Sequence, residues 1–132
     1  MVKSLTAASL CKALIFWKAR LRLMDWQIQT SIARCHVLGS GTLGDTTFGP
    51  PGKRQAKIQL LDQRDVDGQG FWFDGETWDW ELSLVHELLH VHTTDIWPSG
   101  RPKPDDPVRI AEERAVDVIS KALVGLARQR KR

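Results

Sequence analysis

The sequence predicts an α+β fold in a single domain spanning residues 1–132: a helix at the amino end, a small mixed or antiparallel sheet, and two further helices. Three observations predict it. Apolar residues at Leu10, Leu14, Trp17, Leu21 and Met24 recur at three- and four-residue steps, the period of a helix with one buried face. Asp25–Ile32 and Gln55–Leu61 alternate apolar with polar residues, the period of a half-buried strand. Two later apolar stretches, 78–92 and 108–127, are too long for strands and carry helix-starting residues.

A chain of 132 residues, 42% hydrophobic and 27% charged, has enough apolar surface for one core and no room for a second lobe. That composition also excludes wholesale disorder. Cys11 and Cys35 are isolated, with no C-x-x-C spacing, so no disulfide framework is expected and the reducing cytoplasm is the expected compartment.

In order along the chain, Leu5 to Trp17 is fairly apolar, but Lys12 interrupts it, Lys18, Arg20 and Arg22 follow, and no small-residue cleavage site appears. It is expected to be a scaffold helix rather than a signal peptide, a membrane span or a membrane-surface helix. Trp26, Ile28 and Thr30 mark a first strand. Gly39, Gly41, Gly44, Gly49, Gly52 and Pro50-Pro51 give 39–53 a loop composition with room for one short strand. Gln55–Leu61 follows, with Ala56, Ile58 and Leu60 on one side, and is expected at the sheet edge. Phe71-Trp72-Phe73 is expected to cover the core rather than line a pocket. Thr77 or Asp79 caps the next helix, with Glu76, Asp79 and Glu81 at its positive end, so that helix should run from Trp78 to His92. Pro98, Pro102, Pro104, Pro107 and Gly100 make 96–107 a connector, and Pro107 suits the first turn of a last helix, Val108 to Ala127. Arg128 to Arg132 is expected to be a solvated charged end, nucleic-acid contact being the lesser reading.

The stretch 84–92 carries His86-Glu87-Leu88-Leu89-His90. On a helix turning about 100° and rising about 1.5 Å per residue, His86 and His90 project from one face, where two imidazoles can grip one metal ion. Glu87 then faces the open position of that metal as general base toward a nucleophilic water, the donor set of a zinc hydrolase. Leu84, Val85, Leu88, Leu89 and Val91 make the helix apolar on nearly all sides, hence buried. A third ligand is needed, and Glu112, Glu113, Asp117, His92, Asp95 and His36 are the candidates. His92 points about 200° away from His90 on a continuing helix. Glu113 and Asp117, four residues apart, share a face. One would bind the metal while the other accepts the free ring N–H of a ligating histidine.

His86-Glu87-Leu88-Leu89-His90, followed by Glu112-Glu113-Arg114-Ala115-Val116-Asp117, resembles the gluzincin metallopeptidases, the thermolysin-like group with Asn-Glu-x-x-Ser-Asp on a second helix. Glu112 stands in place of the asparagine and Val116 in place of the serine. In order and size the chain also resembles minimal gluzincins and small phage-encoded metallopeptidase-like proteins. The resemblance implies a Zn2+-dependent peptidase acting on a peptide or protein substrate, with metal ligands His86, His90 and Glu113, catalytic Glu87 and Asp117 supporting a histidine. It also implies an extended substrate along an edge strand, here Gln55–Leu61. The chain has no tyrosine, so the phenol that often assists the oxyanion in that group is replaced, if at all, by His36, His92, Arg101 or Arg109. The alternative is a binding or regulatory protein that keeps the metal fold, engages a protein or nucleic-acid partner and cleaves little; retention of Glu87 favours the enzyme.

Overall fold

The computed structural model describes residues 3–97 and 100–130. It is α+β, with a three-stranded mixed sheet covered by helices. Helix α1 (Ala7–Arg20) starts at Thr6, whose hydroxyl accepts from the Ser9 amide while the Ser9 hydroxyl accepts from the Thr6 amide, a reciprocal cap. It stops earlier than the apolar spacing suggested. Arg22 adopts a left-handed φ of 60°, and the Leu23 amide turns back to the Lys18 carbonyl, a helix-ending geometry. Leu23 is thereby buried, whereas Met24, expected on the buried face, is exposed.

Strand β1 (Gln27–Ala33) leads into a single helical turn, α2 (Cys35–Leu38), which no periodicity announced. Strand β2 (Gly44–Phe48) is the short strand inside the glycine-rich stretch, and β3 (Gln55–Leu61) has the expected bounds. The sheet order β1-β3-β2 puts β3 in the centre, parallel to β1 and antiparallel to β2. The expected edge position of Gln55–Leu61 is therefore corrected: β2 is the edge strand. The reason lies in burial, since Ile58, Leu60 and Leu61 are fully buried and need cover from both flanking strands, whereas Asp45, Thr46 and Thr47 suit a half-exposed edge.

Helix α3 (Trp80–Thr93) is capped by Asp79, whose carboxylate accepts from the Leu82 amide. Leu84, Val85 and Leu88 are fully buried and join α3 to the core of α1 and the sheet. Tryptophan indoles pin the layers: Trp17 Nε1 donates to Glu81 at 2.7 Å, and Trp80 Nε1 donates to the Lys3 carbonyl at 2.7 Å. Helix α4 (Pro107–Gln129) begins with Asp106 as cap and Pro107 in its first turn, where a missing N–H costs nothing. It runs antiparallel to α3. Glu113 near its start meets His86 and His90, while Arg128 near its end forms a fork with Asp79 and reaches Glu81 at the start of α3. Arg128 is thus a clasp rather than part of a solvated end; Lys131 and Arg132 lie outside the described residues, as do Pro98 and Ser99 of the connector.

Phe71 and Phe73 stack on each other at 5.4 Å and pack against the core, but Trp72 between them is fully exposed. Among the described residues no helix is long and apolar enough to cross a membrane. Leu84→Ala, which empties a fully buried site shared by α3 and the core, should lower unfolding free energy by about 2–5 kcal/mol in chemical denaturation. A loss under about 1 kcal/mol would mean the core closes over the gap.

Candidate metal centre

The side chains that meet between α3 and α4 come from opposite ends of the sequence pattern. His86 and His90 lie one helical turn apart on α3, their rings edge to face at 5.0 Å, and their Nε2 atoms converge to 3.3 Å. Glu113 arrives from the first half of α4, with Oε2 3.0 Å from His86 Nε2 and Oε1 3.2 Å from His90 Nε2. An ideal tetrahedral site with bonds of about 2.0–2.1 Å has edges of roughly 3.3 Å between ligand atoms. The His86–His90 separation matches such an edge, each Glu113 oxygen lies about one edge from one of the two nitrogens, and the donor types, two imidazoles and a carboxylate, are those of a zinc site with one open position. The residues present therefore fit the metal that the sequence implies.

Glu87 stands beside this tripod, within the same compact group of potential ligand atoms as His86 and His90. It is only 9% exposed, and burial pushes its carboxyl above the usual carboxylate range, opposed in part by a hydrogen bond from Thr46. The Thr46 hydroxyl donates to Glu87 Oε1 at 2.7 Å, so β2 holds the carboxylate from the sheet side. Gly44, two residues earlier and on the same face of β2, makes room for it: a Cβ there would lie 3.3 Å from Glu87 Cγ and 3.0 Å from Leu60 Cδ2. Polar alternation in a glycine-rich strand gave no sign that Thr46 would meet the helix.

Glu112, another candidate ligand, is drawn in beside Glu113. Its side chain is 7% exposed; Oε2 accepts from Trp97 Nε1 at 2.9 Å and Oε1 from Arg101 Nη2 at 2.7 Å. Oε1 lies 3.7 Å from His90 Nδ1. Arg101 Nη2 also donates to Glu113 Oε1 at 2.6 Å and lies 3.3 Å from His90 Nδ1. Burial raises both glutamates, but each ends below the usual range: Glu112 through the bonds from Trp97 and Arg101, Glu113 through the positive charge of His90, His86 and Arg101. Burial lowers the His90 imidazole below its usual range, opposed by the neighbouring Glu113 carboxylate. A second possible ligand group, His90 with Glu112 and Glu113, is the place the Arg101 guanidinium fills.

Asp117, expected to support a histidine, does not reach one. Its carboxylate pairs with Lys121 at 2.9 Å, one turn further along α4, and hydrogen-bonds neither histidine. The competing cation on its own helix explains the difference. The remaining candidate ligands also lie apart: His92 Nε2 donates to the Leu21 carbonyl at 2.6 Å, and His36 and Asp95 are exposed on α2 and on the turn after α3.

All the converging residues line one open groove of about 950 Å³, walled by β2 from Gly44 to Thr46, by α3, by the connector at Trp97 and Arg101, and by α4. Comparison with protein-family models, with curated proteins and with solved structures returned no match. The function is therefore read from the geometry of this groove.

Proposed function

We propose that the chain is a zinc-dependent hydrolase of peptide bonds, resembling the gluzincins, with His86, His90 and Glu113 as ligands and Glu87 as general base. The observation that carries the reading is the convergence of the two histidine Nε2 atoms and both Glu113 oxygens at such spacings, with a buried carboxylate fixed beside them. Zinc, when bound, supplies Lewis-acid polarisation of the scissile carbonyl and acidifies water. Everything else falls to the chain. Glu87 takes a proton from water in the groove through Oε2, which no protein group engages among the described residues, while Thr46 holds Oε1. Its raised carboxyl moves its basicity toward that needed near neutral pH. The edge strand β2 borders the groove and offers its outer backbone groups to an extended peptide by strand addition. The apolar wall of Leu84, Val85 and Leu88 keeps α3 rigid, so the ligands are held in place before metal arrives. Among the oxyanion candidates, only Arg101 and Arg109 line the groove. Arg101 is tied to two carboxylates, and Arg109 donates one guanidinium nitrogen to the Pro102 carbonyl at 3.0 Å, which leaves Arg109 the freer of the two.

Purified protein stripped of metal should take up one zinc per chain and melt at a higher temperature with it, since ligand at about 100 times its dissociation constant adds about 2.7 kcal/mol. A peptide library should be cleaved by the loaded protein and spared when chelator is added. Zinc uptake without cleavage would favour the binding-module reading; absence of uptake would remove the metal site altogether.

A further inference from the structure

We propose that Glu112, and not Asp117, is the carboxylate that fixes His90 for metal binding. The proposal rests on the zinc-site reading and assigns a positioning role within it.

The ring of His90 has one nitrogen on each side of the question. Nε2 faces His86 and Glu113, so it is the nitrogen that a metal would take. Nδ1 faces Arg101 Nη2 at 3.3 Å and Glu112 Oε1 at 3.7 Å. A guanidinium only donates. Of the three contacts of Nη2, those to Glu112 Oε1 and Glu113 Oε1 are shorter than the one to Nδ1 and take its two hydrogens first.

Binding through Nε2 needs the ring proton on Nδ1 and an acceptor to receive it. Glu112 is the carboxylate within reach. It is also the better prepared: Trp97 Nε1 fixes Oε2, leaving Oε1 turned toward the ring. Asp117 is 47% exposed at its side chain and committed to Lys121. Arg101 braces this acceptor, its Nη2 bridging Glu112 Oε1 and Glu113 Oε1.

The test compares Glu112→Ala, Glu112→Gln and Asp117→Ala with the unaltered chain, using zinc alone as probe. Zinc affinity is read by competition with a chromogenic chelator, and the His90 tautomer by nitrogen-15 NMR of labelled histidine, with and without zinc. Expected in the unaltered chain with zinc is a Nδ1–H proton protected from exchange. Glu112→Ala should bind zinc about 10- to 100-fold more weakly, the usual cost of losing such a partner, and lose the protected proton. Should Glu112→Ala fail to fold, Glu112→Gln replaces it. Glutamine brings one acceptor oxygen for two donors, so weaker binding is again expected. Asp117→Ala should match the unaltered chain in both readouts. If the unaltered chain binds zinc but Glu112 variants bind it equally well and keep the protected proton, or if Asp117→Ala shows the loss instead, the assignment is overturned and the zinc site stands. If the unaltered chain takes up no zinc, both readings fall.

Discussion

Glu113→Ala should lose zinc far beyond the roughly 10- to 100-fold expected from an outer partner, and this is the largest effect on metal affinity expected from any single carboxylate. The expectation follows from position. Glu113 is the side chain whose oxygens lie near the Nε2 atoms of both His86 and His90, at 3.0 and 3.2 Å. Alanine leaves two imidazoles and no anionic ligand, a set too small for a catalytic zinc site. It also frees Arg101 Nη2, which keeps Glu112 as its partner and brings a fixed positive charge against any incoming cation. The fold should survive, because the Glu113 side chain is 40% exposed and buries little. Chelator competition together with a melting curve separates the outcomes: unchanged affinity would show that another group, Glu112 first, completes the site, and a collapsed melting curve would show that Glu113 is structural.

The parts of this arrangement that the sequence disclosed are those written in a period. Helix α3 and strand β3 were legible because Leu84, Val85, Leu88 and Val91 in one and Ala56, Ile58 and Leu60 in the other repeat at the spacing of their element. The α+β class and the pairing of His86 with His90 follow from the same signal. A short strand within 39–53 was legible from composition, but its bounds and its place were not. Gly-Asp-Thr-Thr-Phe has no apolar alternation, and its place at the edge is set by the central burial of β3. The supporting carboxylate was misplaced for a related reason. Glu113 and Asp117 do share a face of α4, but sharing a face does not reveal that Lys121 one turn later captures Asp117. Nor does it reveal that Trp97 and Arg101, from a proline-rich connector without periodicity, turn Glu112 toward His90. Contacts contributed by irregular segments carry no pattern to read.

Glu87→Gln should lower peptide-bond hydrolysis by about 10²- to 10⁴-fold, the range for removing a general base, with zinc affinity nearly unchanged because the proposed ligands are His86, His90 and Glu113. Glutamine has nearly the same shape and keeps an oxygen for the Thr46 hydroxyl, so the space beside Gly44 stays filled. The change also predicts a sign for stability. Burial raises the Glu87 carboxyl, which means the folded state holds the ionised form at a cost relative to the unfolded chain. A neutral amide avoids that cost above the usual carboxylate range, so the variant should melt no lower than the unaltered protein at neutral pH. Reduced activity with undiminished melting temperature is the pattern of a residue kept for chemistry at the expense of stability. Loss of zinc in Glu87→Gln would instead make Glu87 a ligand, and full activity would move the base to another group in the groove. Both are read from one preparation by metal content, melting and cleavage of a peptide selected from the library.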